Sequence, residues 1–178
     1  MREVLYEESA NPSNLKMQKT FYMIYSVIMW ISIALSVLVL LVELFVGFDL
    51  MILLTLTSAI TFGIVRTKFY YCVDCTFISG TTRIVKVVNY KRRKKMIFFE
   101  ANEVVQVGKT TSNSFEKLFN APGVKKIFAT PNKYPEEGFY VYLTQSGQNY
   151  LVILECKETY LQHLVSYAGR QVIEKDYK

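Results

Sequence analysis

Residues 21–42 hold no charged side chain over 22 positions. As a helix this run would reach roughly 33 Å, enough to cross a hydrocarbon core about 30 Å thick. It predicts a transmembrane helix and dominates what the rest of the chain can do. Glu43 and Asp49 are the only charges between residues 21 and 65, and residues 50–65 add 16 uncharged positions. A helix of that length reaches about 24 Å, so a second span is expected to run on to residue 68 or 69, with Arg66 and Lys68 extending their charges toward the headgroups. Asp49 would sit at the outer lip, and the short connection over residues 43–49 makes the pair a transmembrane helical hairpin with spans at about 21–42 and 50–68. A cleaved signal peptide is the alternative for the first run. Its apolar core would be only about 7 to 15 residues long and would end in a small-x-small cleavage site, whereas this run is longer and leads into a second apolar segment.

Lys16 and Lys19 precede the first span, Arg66 and Lys68 follow the second, and the connection contains no Lys or Arg. The positive-inside rule then puts both termini in the cytoplasm of a multi-pass cell-membrane protein. Thr55, Ala59 and Gly63 fall at i, i+4 and i+8 of the second helix, and Ser32 and Ser36 form a similar pair on the first. Such small-residue stripes let backbones come close, either within the hairpin or in a homo-oligomer. No ionisable group lies deep in either span, which argues against transport by this chain alone.

The whole chain has 178 residues, 51% of them apolar and 20% charged, with three cysteines. That composition fits neither a disulfide-dense scaffold nor a disordered chain. Residues 66–178 carry 18 Lys+Arg against 10 Asp+Glu, a net +8, so the basic excess lies outside the spans and faces anionic lipid as the nearest partner. Alternating and β-branched runs predict strands over residues 69–78, 82–90, 96–99, 103–107, 125–130, 138–145 and 149–155, the last two joined at Ser146-Gly147 as a hairpin. Residues 91–95 read as a basic turn. Residues 108–123 read as irregular, although Phe115, Leu118 and Phe119 have helical spacing. From Cys156 the period changes, with Leu161, Leu164, Val165 and Ala168 on one helical face and Gly169 as the stop.

About seven antiparallel strands followed by one closing helix is the order of a pleckstrin-homology-like (PH-like) barrel. The stretch from Tyr70 through Cys72, Asp74 and Cys75 to Gly80, then Arg83-Ile84, the basic run Lys91-Arg92-Arg93-Lys94-Lys95, Ile97 and Glu103 to Val107 resembles the bacterial PH-like families. There a strand, a Gly turn, a second strand, a basic turn and a third strand follow two membrane spans. The chain is most similar to a family of small Gram-positive proteins with that layout and no assigned function. The resemblance implies an α+β membrane protein: a cytoplasmic N-terminal segment (1–20), a transmembrane helical hairpin (21–68) and a cytoplasmic PH-like antiparallel β-barrel capped by a C-terminal helix (69–178). It supplies no catalytic residue.

Cys72 and Cys75 have the CxxC spacing of zinc knuckles and redox sites, but lie inside a predicted strand, where i and i+3 point to opposite faces. The only further ligands for a metal would be Cys156 and the single His163, and neither a nucleophile elbow nor a phosphate-binding Gly loop occurs. No catalytic residue, metal or cofactor is therefore expected. Lys91, Arg92, Arg93, Lys94 and Lys95 read either as a solvated turn or as a contact for anionic headgroups. Nucleic acid is not expected, because the neighbouring aromatics have core parity. The expected function is a non-enzymatic, membrane-anchored PH-like module that scaffolds or regulates by binding a protein partner or anionic lipid. The alternatives are a structural accessory subunit of a larger membrane complex and a thiol-dependent enzyme using Cys72 and Cys75.

Overall fold

The computed structural model describes residues 5–46, 51–132, 135 and 138–174, with side chains of the first stretch to residue 42. Residues 47–50, Asp49 among them, lie outside the described residues, while residues 43–46, expected in the connection, continue the first helix. The chain forms two compact units, Pro12–Tyr71 and a second made of Met1–Asn11 together with Cys72–Lys178.

The first unit holds α1 (Leu15–Val46) and α2 (Met51–Arg66). Residues Leu15–Val42 of α1 are long and apolar enough to cross a membrane, with mean hydropathy 2.5. Its outward side chains, among them Trp30, Ile31, Leu38 and Leu41, are large, apolar and exposed, which suits a hydrocarbon solvent rather than water. The shorter α2 packs antiparallel on it. Tyr25 meets Phe62 at 6.1 Å and stacks on Phe69 at 5.2 Å, and the Met29 sulfur lies 3.5 Å from where a Cβ on Gly63 would be. Ser32, Ser36 and Ala59 are buried, while Thr55 and Gly63 are half-buried. Ser36 donates its hydroxyl to the Ser32 carbonyl at 2.8 Å, so that buried group carries no unmet hydrogen bond.

The second unit has two four-stranded sheets. The first, in order β1-β2-β3-β4, contains β1 (Leu5–Ala10), β2 (Tyr71–Ile78), β3 (Thr81–Val88) and β4 (Arg92–Glu100). The second, in order β5-β7-β8-β6, contains β5 (Val104–Lys109), β6 (Val124–Ala129), β7 (Gly138–Gln145) and β8 (Gln148–Glu155). A helix α3 (Asn113–Asn120) joins β5 to β6, and α4 (Glu158–Ala168) follows β8. Ser79-Gly80 and Ser146-Gly147 turn the chain with positive φ at both residues, the geometry that matches strand twist in two-residue hairpins.

Three features depart from the expected pattern. Residues 5–10, read as part of an N-terminal segment, form β1 and pair antiparallel with β2, Leu5 opposite Ile78 and Ala10 opposite Val73. The helices of the first unit are thus inserted in the chain between two paired strands. The sheets also do not form one antiparallel barrel: among the described residues no ladder joins them, and β6 runs parallel to β8 because α3 carries the chain across the sheet. Finally, residues 92–95 are not a turn. They open β4, where Arg92 faces Val88 and Lys95 faces Val85, and the chain reverses earlier, at Asn89 and Tyr90. The ladder slips between Ile84 and Val85, leaving Met96 as the extra residue of a bulge.

The core lies where the sheets meet α4. Phe77, Ile84, Phe99, Tyr140, Leu143, Leu151, Leu154, Tyr160 and Leu164 are fully buried. The continuous run Leu151 to Leu154 on β8 is sealed on both faces, as expected of an inner strand rather than an edge.

Candidate functional site

The basic run occupies the free edge of the first sheet. Lys91, Arg92, Arg93, Lys94 and Lys95 are all exposed, Lys91 in the reversal and the other four on β4. Strand alternation divides them, so Arg93 and Lys95 share the face of Val87 and Val85, while Arg92 and Lys94 share the face of Val88 and Lys86. Lys94 lies directly opposite Lys86, an unfavourable like-charge pair that exposure to water or an anion relieves. The Lys95 ammonium sits 5.2 Å from the Phe98 ring, which is itself exposed.

Arg93 and Phe98 also border a groove of about 610 Å³ on the outer face of this sheet, with Glu7, Ser9, Asp74, Thr76 and Arg83. Ser9 donates to Asp74 at 2.6 Å across the β1-β2 ladder. The groove therefore mixes both charge signs.

The two CxxC thiols lie on opposite sides of β2. Cys72 joins Val85 and Val87 in a small buried cluster, whereas burial against the core pushes the Cys75 thiol up to about 12, with the charges of Glu8 and Asp74 adding to the rise. Cys72 is also raised, by burial first and then by Asp74. A nucleophilic or redox cysteine needs the reverse, a thiol pKa lowered toward neutrality. Cys156 is buried as well, and among the described residues no three His, Cys, Asp or Glu side chains gather as a metal site. His163 packs as a ring, 5.5 Å from Tyr6 and 6.4 Å from Phe77.

Two places that sequence reasoning missed join distant segments. At the start of α4, the Lys157 N–H donates to the Glu8 carboxylate at 2.9 Å, and Tyr6 donates to the same oxygen at 3.0 Å. Lys157 offers no side-chain cap of its own, so β1 brings a negative charge to the positive end of the helix. At the other end of α4, Gly169 takes φ +93° and ends the helix, and a short turn, Arg170–Val172, leads to Ile173, which forms a parallel bridge with Val107 of β5. The Glu174 N–H donates to the Val107 carbonyl at 2.9 Å. The Glu174 carboxylate is sealed from solvent beside Tyr140, where a Cβ on Gly108 would collide with both. Burial, then the charge of Glu174, raises the Tyr140 phenol, whose oxygen accepts a hydrogen bond from Gln106 at 2.8 Å.

No curated protein and no solved structure matches the chain. One family model, described as Bacterial PH-like domain (DUF6106), matches residues 14–174, running through the apolar helices as well as both sheets and α4 and leaving β1 outside it. Two sheets closed by a C-terminal helix fit that description, and on a match of this extent the chain belongs to the Bacterial PH-like domain (DUF6106) family.

Proposed function

We propose that this chain is a non-enzymatic module anchored in the cell membrane by a two-span hairpin, with both termini cytoplasmic, that docks the basic strand β4 on anionic lipid headgroups. The observation that carries the reading is one sheet. Its strands β1 and β2 lead into and out of the apolar helices, and its edge strand β4 presents exposed cations. The pairing of Ala10 with Val73 supports this topology, since paired ends on one side of a bilayer require an even number of crossings between them. If α1 spans, α2 with its flanking residues must return. Arg66 ends α2 and Lys68 follows, and these lie with Lys16 and Lys19 at the ends away from the connection, which supports the cytoplasmic side for the whole second unit.

Each Lys or Arg near an anionic surface contributes about 1 kcal/mol, fading within a Debye length of about 8 to 10 Å. Five such groups on a tethered domain would set its orientation. The test uses the full chain in nanodiscs with an environment-sensitive dye on Lys91→Cys. Anionic lipid should shift its emission to the blue, and high salt should reverse the shift. Identical spectra in neutral and anionic discs at low salt would remove lipid docking and leave β4 as a solvated edge that resists aggregation.

A further inference from the structure

We propose that the end of the helical hairpin at Arg66 holds one phospholipid headgroup, its phosphate on the Arg66 guanidinium and a free hydroxyl of the headgroup on Gln18. The proposal rests on the membrane-anchored reading of α1 and α2 and adds to it a site separate from β4. Among the described residues few sealed polar side-chain atoms lack a hydrogen-bond partner, and two of them, Gln18 Oε1 and Arg66 Nε, belong to this hairpin. A sealed polar group without a partner is rare in folded proteins and calls for an occupant that completes it.

Both groups gather around Tyr22. The central carbon of the Arg66 guanidinium lies 5.9 Å from the centre of the Tyr22 ring, and Gln18 stands one turn earlier on the same face of α1. Arg66 is half-buried, and its guanidinium makes no hydrogen bond or ion pair with the described residues. Around it, Tyr22 meets Tyr70 at 6.1 Å, Phe21 meets Phe69 at 5.6 Å and Tyr25 stacks on Phe69. A belt of tyrosines at one end of an apolar hairpin marks the headgroup level, where the rings sit in the apolar layer and the hydroxyls in the wet one.

Length puts Arg66 at the same level. The 16 residues of α2 reach about 24 Å, short of a hydrocarbon core of about 30 Å, so the arginine that ends the helix stays within reach of the phosphates. A guanidinium offers a planar fork that matches two oxygens of a phosphate, and it stays charged at any ordinary pH. Packing over Tyr22 restricts where that fork points. The Gln18 amide adds a second demand, for a group that donates or accepts a hydrogen bond, and a headgroup hydroxyl does both. A glycerol headgroup supplies the phosphate and hydroxyls together, whereas choline carries no hydrogen-bonding group beyond the phosphate. The site therefore selects the glycerol headgroup.

The test uses the full chain in detergent micelles, with native mass spectrometry counting bound lipid. The probes are phosphatidylglycerol and phosphatidylcholine of matched acyl chains. The unaltered chain should retain one phosphatidylglycerol about tenfold more tightly than phosphatidylcholine. Arg66→Gln should lose that lipid, Arg66→Lys should weaken it by keeping the charge without the fork, and Gln18→Leu should hold both lipids alike. A chain with Lys91 to Lys95 all changed to Gln should keep the site, which separates it from docking by β4. Trp30, the single tryptophan, is exposed on α1, so quenching of its fluorescence by brominated acyl chains in vesicles reports insertion of each variant. Should Arg66→Gln fail to insert, Arg66→Lys decides. Unquenched Trp30 in the unaltered chain would remove the anchored reading and this proposal with it. With Trp30 quenched, four results would each overturn the proposal alone: full retention of the lipid by the inserted Arg66 variants, equal retention of the two lipids by the unaltered chain, a preference that survives Gln18→Leu, or loss of the lipid in the Lys91 to Lys95 variant.

Discussion

Leu164 shows how the closing helix is held: it is fully buried, with Leu161 one turn earlier and Tyr160 donating its phenol to Thr82 of β3 at 3.1 Å. Leu164→Ala should cost about 2 to 4 kcal/mol, the usual range for a leucine removed from a packed core, and urea unfolding would read it. A change below about 0.5 kcal/mol would mean that α4 is not docked as described. The Cys75 thiol makes a separate demand on pH. Its folded value of about 12 lies above the ordinary 9.0, so between those limits the unfolded chain has lost a proton that the folded chain keeps. Stability from this group is therefore complete below pH 9 and declines as pH rises toward 12, by up to about 1.4 kcal/mol per unit. Burial raises Tyr140 and Tyr160 too, and they steepen the decline above pH 10. Cys75→Ala should make the loss between pH 9 and 10 shallower, measured from urea midpoints at pH 8, 9 and 10. An unchanged slope would show that the thiol is not the titrating group.

At the scale of elements, β1 and α4 depend on each other through Glu8, whose carboxylate meets a backbone N–H and a phenol at once. Glu8→Ala leaves a helix end without its acceptor and should cost about 1 to 3 kcal/mol. Glu7→Ala, one position along on the outward face, should stay within about 0.5 kcal/mol. Equal losses by thermal or urea unfolding would mean that the helix end draws nothing from β1. The elements that could be read from sequence were those whose period was unbroken: β7, β8 and the Ser146-Gly147 turn, and the apolar face of α4 with its Gly169 stop. β1 was not legible, because Leu5-Tyr6-Glu7-Glu8-Ser9-Ala10 turns only Tyr6, Glu8 and Ala10 inward, and its inward glutamate makes sense only beside Lys157, far away in the chain. Five cations in succession look like a turn, yet four of them open an edge strand that solvates both of its faces, and Ile97 and Phe99 anchor the same strand in the core. The cations of the candidate lipid site were visible in composition alone. The β5 edge was hidden, since Gly108, Tyr140 and Glu174 stand more than thirty residues apart and only the fold brings them together.

At the scale of the molecule, the insertion of the helices between β1 and β2 decides which pieces of the chain can stand alone. A boundary at residue 69 would discard β1, removing an edge strand from the first sheet and the carboxylate from the start of α4. It would also lose the contact by which Asn132 donates to the Asn11 carbonyl at 3.1 Å, within a network centred on Glu155. Because Ala10 faces Val73, Asn11 and Cys72 are the next positions on two antiparallel strands, and a turn of two to four glycine-rich residues is enough to join them. Replacing residues 12–71 by such a turn should therefore yield a water-soluble, strand-rich protein that unfolds cooperatively, whereas residues 69–178 alone should be less stable and prone to associate through the bared edge of β2. Circular dichroism, urea unfolding and sedimentation of the two proteins make the comparison. If they match in stability and both remain monomeric, β1 is dispensable. An unpaired β1 would then no longer hold the two ends of the apolar segment on one side of the membrane, and a single crossing would become possible.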